Sequence, residues 1–220
     1  MNNKKIEDYL SNEIIRIIKV YFDEKVSNAE QTFEYHEEDE DVLTGALGQE
    51  LITKNPITYS NKNRKYSLTI SSRKIRGRGQ NAPEKITGAD GIFKISIIRD
   101  NQEVLKKGLL FQSKKNWKNQ DKNLIKQCNN MINHVGSAIV INYTRNGYEA
   151  YDAKDVISFN GRRKELLEEN KKLTLSNLLG KKFLNCIIGE IGLDYDKESE
   201  EFLKNSFTNS TEIKTEVHIT

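Results

Sequence analysis

The sequence predicts an α/β fold, a mixed β-sheet flanked by helices, with further helices added at the N- and C-terminal ends of the chain. Three observations predict it. Ile92–Arg99 and Val104–Lys114 are rich in β-branched and aromatic residues and are joined by Asp100-Asn101-Gln102, which is the turn chemistry of an antiparallel hairpin. Ser137–Tyr143 is a near-continuous apolar run, the pattern of a central strand covered on both faces. Segments with apolar residues at helical spacing flank both, so the sheet has helices available to cover it.

The elements follow in chain order. Residues 5–26 carry Ile6, Tyr9, Leu10, Ile14, Ile17 and Ile18 at helical spacing and form an amphipathic helix suited to packing or dimerisation. A second helix, about Glu40–Lys54, aligns Glu40, Leu43, Leu47, Glu50 and Leu51 along one stripe. One or both acids then point inward beside apolar residues, and buried carboxylates need a reason. Lys65–Ser72 reads as a strand and Arg73–Thr87 as a basic loop around Gly77-Arg78-Gly79, which lacks the third glycine of a dinucleotide fingerprint. After the hairpin, Asn119–Val135 is a helix with Leu124, Cys128, Met131, Ile132 and Val135 on its apolar face. The apolar strand 136–144 comes next, an Asn146-Gly147 turn, and a short returning strand Tyr148–Tyr151. Lys164–Lys171 and Leu175–Phe183 read as helices. The organisation expected is a helix over 1–30, a core over 31–160 and a helical appendage over 161–220.

The chain has 220 residues, of which 30% are charged and 36% apolar, with two prolines. Such a composition argues against long disorder and against a membrane protein. No apolar run approaches a spanning helix and the first residues lack a signal peptide's apolar region, so the cytoplasm is the expected location. Cys128 and Cys186 lack metal-ligand spacing and read as reduced thiols. His36, His134 and His218 are isolated, which speaks against zinc chemistry. Glu34–Asp41 is densely acidic, whereas Arg64–Lys85 carries Arg73, Lys74, Arg76 and Arg78 and the stretch after the second hairpin strand carries Lys115, Lys118 and Lys122. A cationic surface of this kind suits a polyanion.

The hairpin carries the chemistry. Asp90, in Gly88-Ala89-Asp90-Gly91, sits where the first strand begins and so opposite the end of the second, Leu110-Phe111-Gln112-Ser113-Lys114. Alternation puts Gln112 and Lys114 on one face, with Phe111 and Ser113 on the other. Asp90, Gln112 and Lys114 therefore converge. A carboxylate is a natural ligand for Mg²⁺ or Mn²⁺, an amide carbonyl is a weaker one, and a lysine can orient water and stabilise charge growing on a phosphate. Glu84, six residues before Asp90, is a further candidate acid.

These residues resemble the PD-(D/E)xK nuclease superfamily, and within it the Mrr-type restriction endonucleases and anti-phage effector nucleases whose second motif reads Q-x-K. Asp90 matches the first acid, and Gln112 with Lys114 matches Q-x-K. The resemblance spans roughly residues 38–160 and is strongest over Gly88–Lys115, with Ala89 where the family name has Pro. It implies a restriction-endonuclease-like core and a Mg²⁺- or Mn²⁺-dependent DNA endonuclease acting on double-stranded DNA. It also implies an extra acid from the helix before the hairpin, a role open to Glu40 or Glu50 with Glu40 narrowly favoured. Asp90, Gln112 and Glu40 would then hold the metal, and Arg73, Lys74, Arg76, Arg78, Lys115 and Lys118 would meet DNA. A role in prokaryotic restriction or anti-phage defence follows by analogy, with self-assembly or a protein partner as regulator. The neutral Gln112 keeps a second reading open: an inactive, nuclease-like DNA-binding or scaffold subunit.

Overall fold

Apolar stripes and strand alternation build two cores, one on each face of a sheet. The computed structural model describes residues 10–61, 64–75, 83–196 and 201–204. Helix α1 (Asn12–Gln31) buries Ile14, Ile18, Phe22, Val26 and Ala29, a continuous stripe at steps of three and four. The stripe runs further than Ile18, which is why the helix lies C-terminal of the expected 5–26; Ile6 and Tyr9 fall outside the described residues. A short helix α2 (Phe33–His36) leads to α3 (Glu40–Leu51), whose N-cap Asp39 accepts the Asp41 N–H at 2.7 Å. Strands β1 (Ile57–Asn61) and β2 (Arg64–Lys74) come next, then a short helix α4 (Pro83–Thr87) inside the segment expected to be loop.

The hairpin is β3 (Gly91–Arg99) and β4 (Gln102–Lys115), turned by Asp100 and Asn101 at φ 51° and 67°. Helix α5 (Lys122–Val135) starts under Asp121, which accepts the Leu124 N–H, and closes at Gly136 in the left-handed conformation. It is the crossover that lets β5 (Ala138–Thr144) run parallel to β4. Strand β6 (Gly147–Asp152), helices α6 (Ala153–Ser158) and α7 (Arg163–Glu168), and strand β7 (Leu173–Thr174) follow. Helix α8 (Leu175–Asn177) passes into a π-helical turn at Leu178–Phe183. Strands β8 (Glu190–Ile191), β9 (Leu193–Asp196) and β10 (Glu201–Lys204) close the described chain.

Among the described residues the sheet runs β1-β2-β3-β4-β5-β6-β7, with β8 also beside β4, and only the β4–β5 pair is parallel. The fold is thus α/β with a mixed sheet flanked by helices. Odd-numbered β4 and β5 residues, Leu105, Leu109, Phe111, Ile139, Ile141 and Tyr143, share one core with α1, α3 and Leu175–Leu184. Leu110, Ala138 and Val140 face the other core with Leu124, Cys128 and Met131 of α5. The segment after residue 161 is not purely helical: β7 extends the main sheet at β6, β8 pairs with β4, and Leu175, Leu178, Leu179 and Phe183 pack in the first core. Two- to four-residue strands are too short for alternation to announce them. No helix among the described residues is long and apolar enough to cross a membrane.

Candidate active site

Asp90 is placed by two glycines. Gly88 adopts φ +72°, and a Cβ there would lie 2.5 Å from the Gln127 carbonyl oxygen of α5. A Cβ on Gly91 would lie 2.4 Å from the Phe111 ring and 2.8 Å from the Arg73 carbonyl oxygen. The chain can therefore press against α5 and turn into β3 only with glycine at both positions. Gly91 pairs with Phe111, so β4 continues past the start of β3, and Asp90 fills the ladder position that β3 does not reach. Its N–H donates to Phe111 O at 2.9 Å, and its Oδ2 accepts the Ser113 N–H at 2.7 Å. The carboxylate acts as the missing strand edge.

Two more donors meet Oδ2: Gln112 Nε2 at 2.7 Å and Ser113 Oγ at 2.5 Å. Oδ1 accepts no hydrogen bond among the described residues and is the oxygen left for another ligand. Gln112 is 2% exposed, and its Nε2 also approaches Ser113 O at 3.2 Å. Both partners are acceptors, which fixes the amide's orientation. Its Oε1 is then buried with no hydrogen-bond partner. Such an orphan acceptor needs a water or cation to satisfy it.

Glu40 arrives from the other face. As the first residue of α3 it is half-buried, and burial is the main cause that pushes its carboxyl above the ordinary glutamate value. Lys114 opposes that shift, Asp90 adds to it, the Lys115 backbone N–H opposes it, and Asp41 adds to it. Glu40, Asp90 and Lys114 thus share one electrostatic site at the C-terminal end of β4. Lys114 also stands 3.7 Å from Asp121 Oδ2 at the α5 N-cap, so it lies between two helix starts.

A hydroxyl chain ties α3 to Asp90. Tyr143 OH donates to Thr44 Oγ1 at 3.2 Å, Thr44 Oγ1 lies 3.1 Å from Ser113 Oγ and 2.9 Å from Glu40 O, and Ser113 Oγ donates to Asp90. Ser113 and Thr44 were not singled out from the sequence. Thr44 stands one helical step of four beyond Glu40 and Ser113 lies between Gln112 and Lys114, but their contact joins residues 69 apart in sequence and has no local signal.

Glu50 separates from this group. Glu50 is ten residues along α3 from Glu40, about 15 Å by helical rise, and its Oε2 accepts from Asn28 of α1 at 3.4 Å. The shared stripe did not hold, since ten residues is not a whole number of turns. Glu84 sits in the first turn of α4, which packs against α5 and leads into Gly88 and Asp90.

Among the expected DNA contacts, Lys74 Nζ instead holds Asp41, at 2.6 Å from Oδ1 and 2.9 Å from the carbonyl oxygen. Lys115 Nζ holds the carbonyls of Glu37 and Glu38 at 2.7 and 3.0 Å. Both lysines clamp the start of α3 and so position Glu40. Arg73 and Lys118 are exposed, and Arg76 and Arg78 lie outside the described residues. Trp117 is 6% exposed, donating Nε1–H to Asn119 O and stacking edge-on against Tyr151, which is the packing role expected of a helix start.

No group of three or more His, Cys, Asp or Glu side chains suited to a metal ion occurs among the described residues. The donor set at the site is of another kind: two carboxylates, Asp90 and Glu40, with the amide oxygen of Gln112. All three are hard oxygen donors, and the orphaned Gln112 Oε1 fits a hard cation as third ligand. Comparison with protein-family models, with curated proteins and with solved structures finds no match to this chain.

Proposed function

We propose that the chain is a metal-dependent DNA endonuclease of the PD-(D/E)xK kind, with a restriction-endonuclease-like core, acting in prokaryotic restriction or anti-phage defence. The observation that carries the reading is the Gln112–Asp90 hydrogen bond at 2.7 Å at the end of β4, with the charges of Lys114 and Asp90 both acting on Glu40. Asp90 through Oδ1, Glu40, and Gln112 through Oε1 would hold Mg²⁺ or Mn²⁺. Bound there, the cation supplies charge neutralisation at the phosphate and a more acidic water. Asp90 is oriented by the three donors on Oδ2, which leaves Oδ1 for another ligand. Lys114 orients the attacking water for in-line displacement and compensates the charge that grows on the phosphoryl oxygens. Glu40, being pushed upward by burial, must lose its proton before it can serve as a ligand, so activity should rise with pH above 4.5.

The test is incubation of supercoiled plasmid with pure protein and Mg²⁺ or Mn²⁺, beside Asp90→Ala and Lys114→Ala. Cleavage by the wild type that both variants and EDTA abolish is expected. Cleavage that persists in both variants would remove the site assignment. One observation favours a second reading, an inactive DNA-binding or scaffold subunit: only two carboxylates meet at the site, and Gln112 spends its amide nitrogen on Asp90. Failure of the wild type to cut DNA or RNA with either metal would favour it.

A further inference from the structure

We infer that a cleft beside the candidate active site, floored by Asn142 and Glu149 and rimmed by Asn116 and Lys118, is a subsite for one nucleotide of the bound strand. The inference rests on the nuclease reading. The cleft has a volume of about 420 Å³, within the range of about 300–1,000 Å³ of small-molecule sites.

Its position follows from the register. Lys114 pairs with Asn142 across the β4–β5 ladder, about 5 Å from strand to strand. Both are even-numbered positions on the α5 face, and Asn116, Trp117 and Lys118 continue directly from Lys114 and Lys115. A strand whose phosphate lies at Lys114 therefore has this cleft beside its next nucleotide.

The floor is rigid and internally neutralised. Glu149 accepts from Asn142 Nδ2 at 2.8 Å, Tyr151 OH at 2.9 Å and Arg163 Nη2 at 2.8 Å, and Lys172 stands 3.6 Å away. These donors hold its carboxyl below the ordinary value against the opposing effect of burial, which is the largest single influence on it. Glu149 is thus compensated, and the other carboxylate lining the cleft, Glu30, accepts the Tyr148 N–H at 2.7 Å. Asn142 is 0% exposed, and its Oδ1 accepts the Trp117 N–H at 2.8 Å, which pins the rim loop to the floor.

The rim supplies the recognition chemistry. Lys118 is exposed and makes no hydrogen bond or ion pair among the described residues, and the side chain of Lys172 is 47% exposed. These two cations suit a phosphate. Asn116 and Asn146 each offer an amide donor and acceptor, which matches the edge of an unstacked base better than a bare anion or an apolar group.

Trp117 is the single tryptophan of the chain and lines the cleft, so its emission reports occupancy. The full chain is titrated in EDTA with 2′-deoxynucleoside 5′-monophosphates, with inorganic phosphate and with a short single-stranded oligodeoxynucleotide. A saturable emission change is expected with the monophosphates and the oligonucleotide, at least tenfold weaker in Lys118→Glu and Lys172→Glu, and retained in Asp90→Ala. Both substituted lysines are on the surface, and circular dichroism checks that the variants fold. No saturable change with any monophosphate would overturn the inference, as would an equal response to inorganic phosphate or an undiminished response in both lysine variants. Should that happen while Asp90-dependent plasmid cleavage stands, the cleft assignment alone has failed. A nucleotide response without cleavage by any metal would uphold the cleft as a nucleotide site and remove the nuclease reading.

Discussion

Gly88 shows how a single backbone position sets chemistry. Its φ of +72° and its approach to the Gln127 carbonyl leave no room for a side chain, and Asp90 hangs two residues beyond it. Gly88→Ala should cost about 1–3 kcal/mol of stability through the strained φ and, by moving Asp90 off its three donors, abolish metal-dependent cleavage while the fold survives. Thermal unfolding and plasmid cleavage read the two effects separately. Lys107 supplies a second test at this scale. It is 2% exposed, donates to Phe183 O at 2.6 Å, and is pushed down to about 8, chiefly by burial, with Cys186 opposing. A lysine whose folded value lies below its unfolded 10.5 binds fewer protons when folded, so its contribution rises with pH from about 8 to 10.5. Urea denaturation at pH 7.5 and pH 10 should show wild type gaining up to about 2 kcal/mol relative to Lys107→Met over that interval. The approach of Asp90 to Gln112 was legible from antiparallel pairing, and the shared face of Gln112 and Lys114 from strand alternation. Ser113 and Thr44 were not, because their part is played across an α3–β4 contact that no local pattern encodes.

Elements with long apolar periods were the legible ones. The β3–β4 hairpin, α5 and β5 carry runs of buried residues, and their spans match expectation to within a few residues. Strand β1, with five residues at the sheet edge, and β7 to β9, with two to four each, had too few positions to show alternation and were missed. Helix α3 was legible as a helix, but its two acids lie at opposite ends, Glu40 beside the Lys115 backbone of β4 and Glu50 bonded to Asn28 of α1. The β9 strand is fastened to the sheet by Asp194, which stands 2.5 Å from both Lys94 and Lys106. Those two lysines and the Tyr195 N–H outweigh burial and hold Asp194 down at about 2. A carboxylate with a lowered folded value stabilises fully above its unfolded 3.8, and this is lost as pH falls toward 2. Asp194→Asn should cost about 1 kcal/mol at pH 7 once solvent screening is allowed for, and should flatten the wild-type loss of stability between pH 4 and pH 2. Acid titration followed by circular dichroism reads both.

Across the whole molecule, charge distribution separates positioning from binding. The net charge is +3, and the acidic run near the site is held in part by cations that the sequence offered to DNA: Lys74 takes Asp41 and Lys115 takes the Glu37 and Glu38 carbonyls, while Arg145 takes Glu34 at 2.9 Å. Residue spacing shows that charges cluster, but which of them are consumed internally depends on the packing of α2 and α3 against β4. Asp90, Gln112 and Lys114 lie at the end of β4 with Glu40 of α3 within reach of their charge, and Glu40 is the member that sequence alone separated least from its rivals. The decisive measurement is metal-dependent cleavage of supercoiled plasmid by wild type, Glu40→Gln, Glu50→Gln and Glu84→Gln at equal protein concentration. The expected result is a loss of about 10²-fold or more in Glu40→Gln alone, with Glu50→Gln and Glu84→Gln close to wild type. Wild-type cleavage by Glu40→Gln, or an equal loss in Glu50→Gln, would contradict the account.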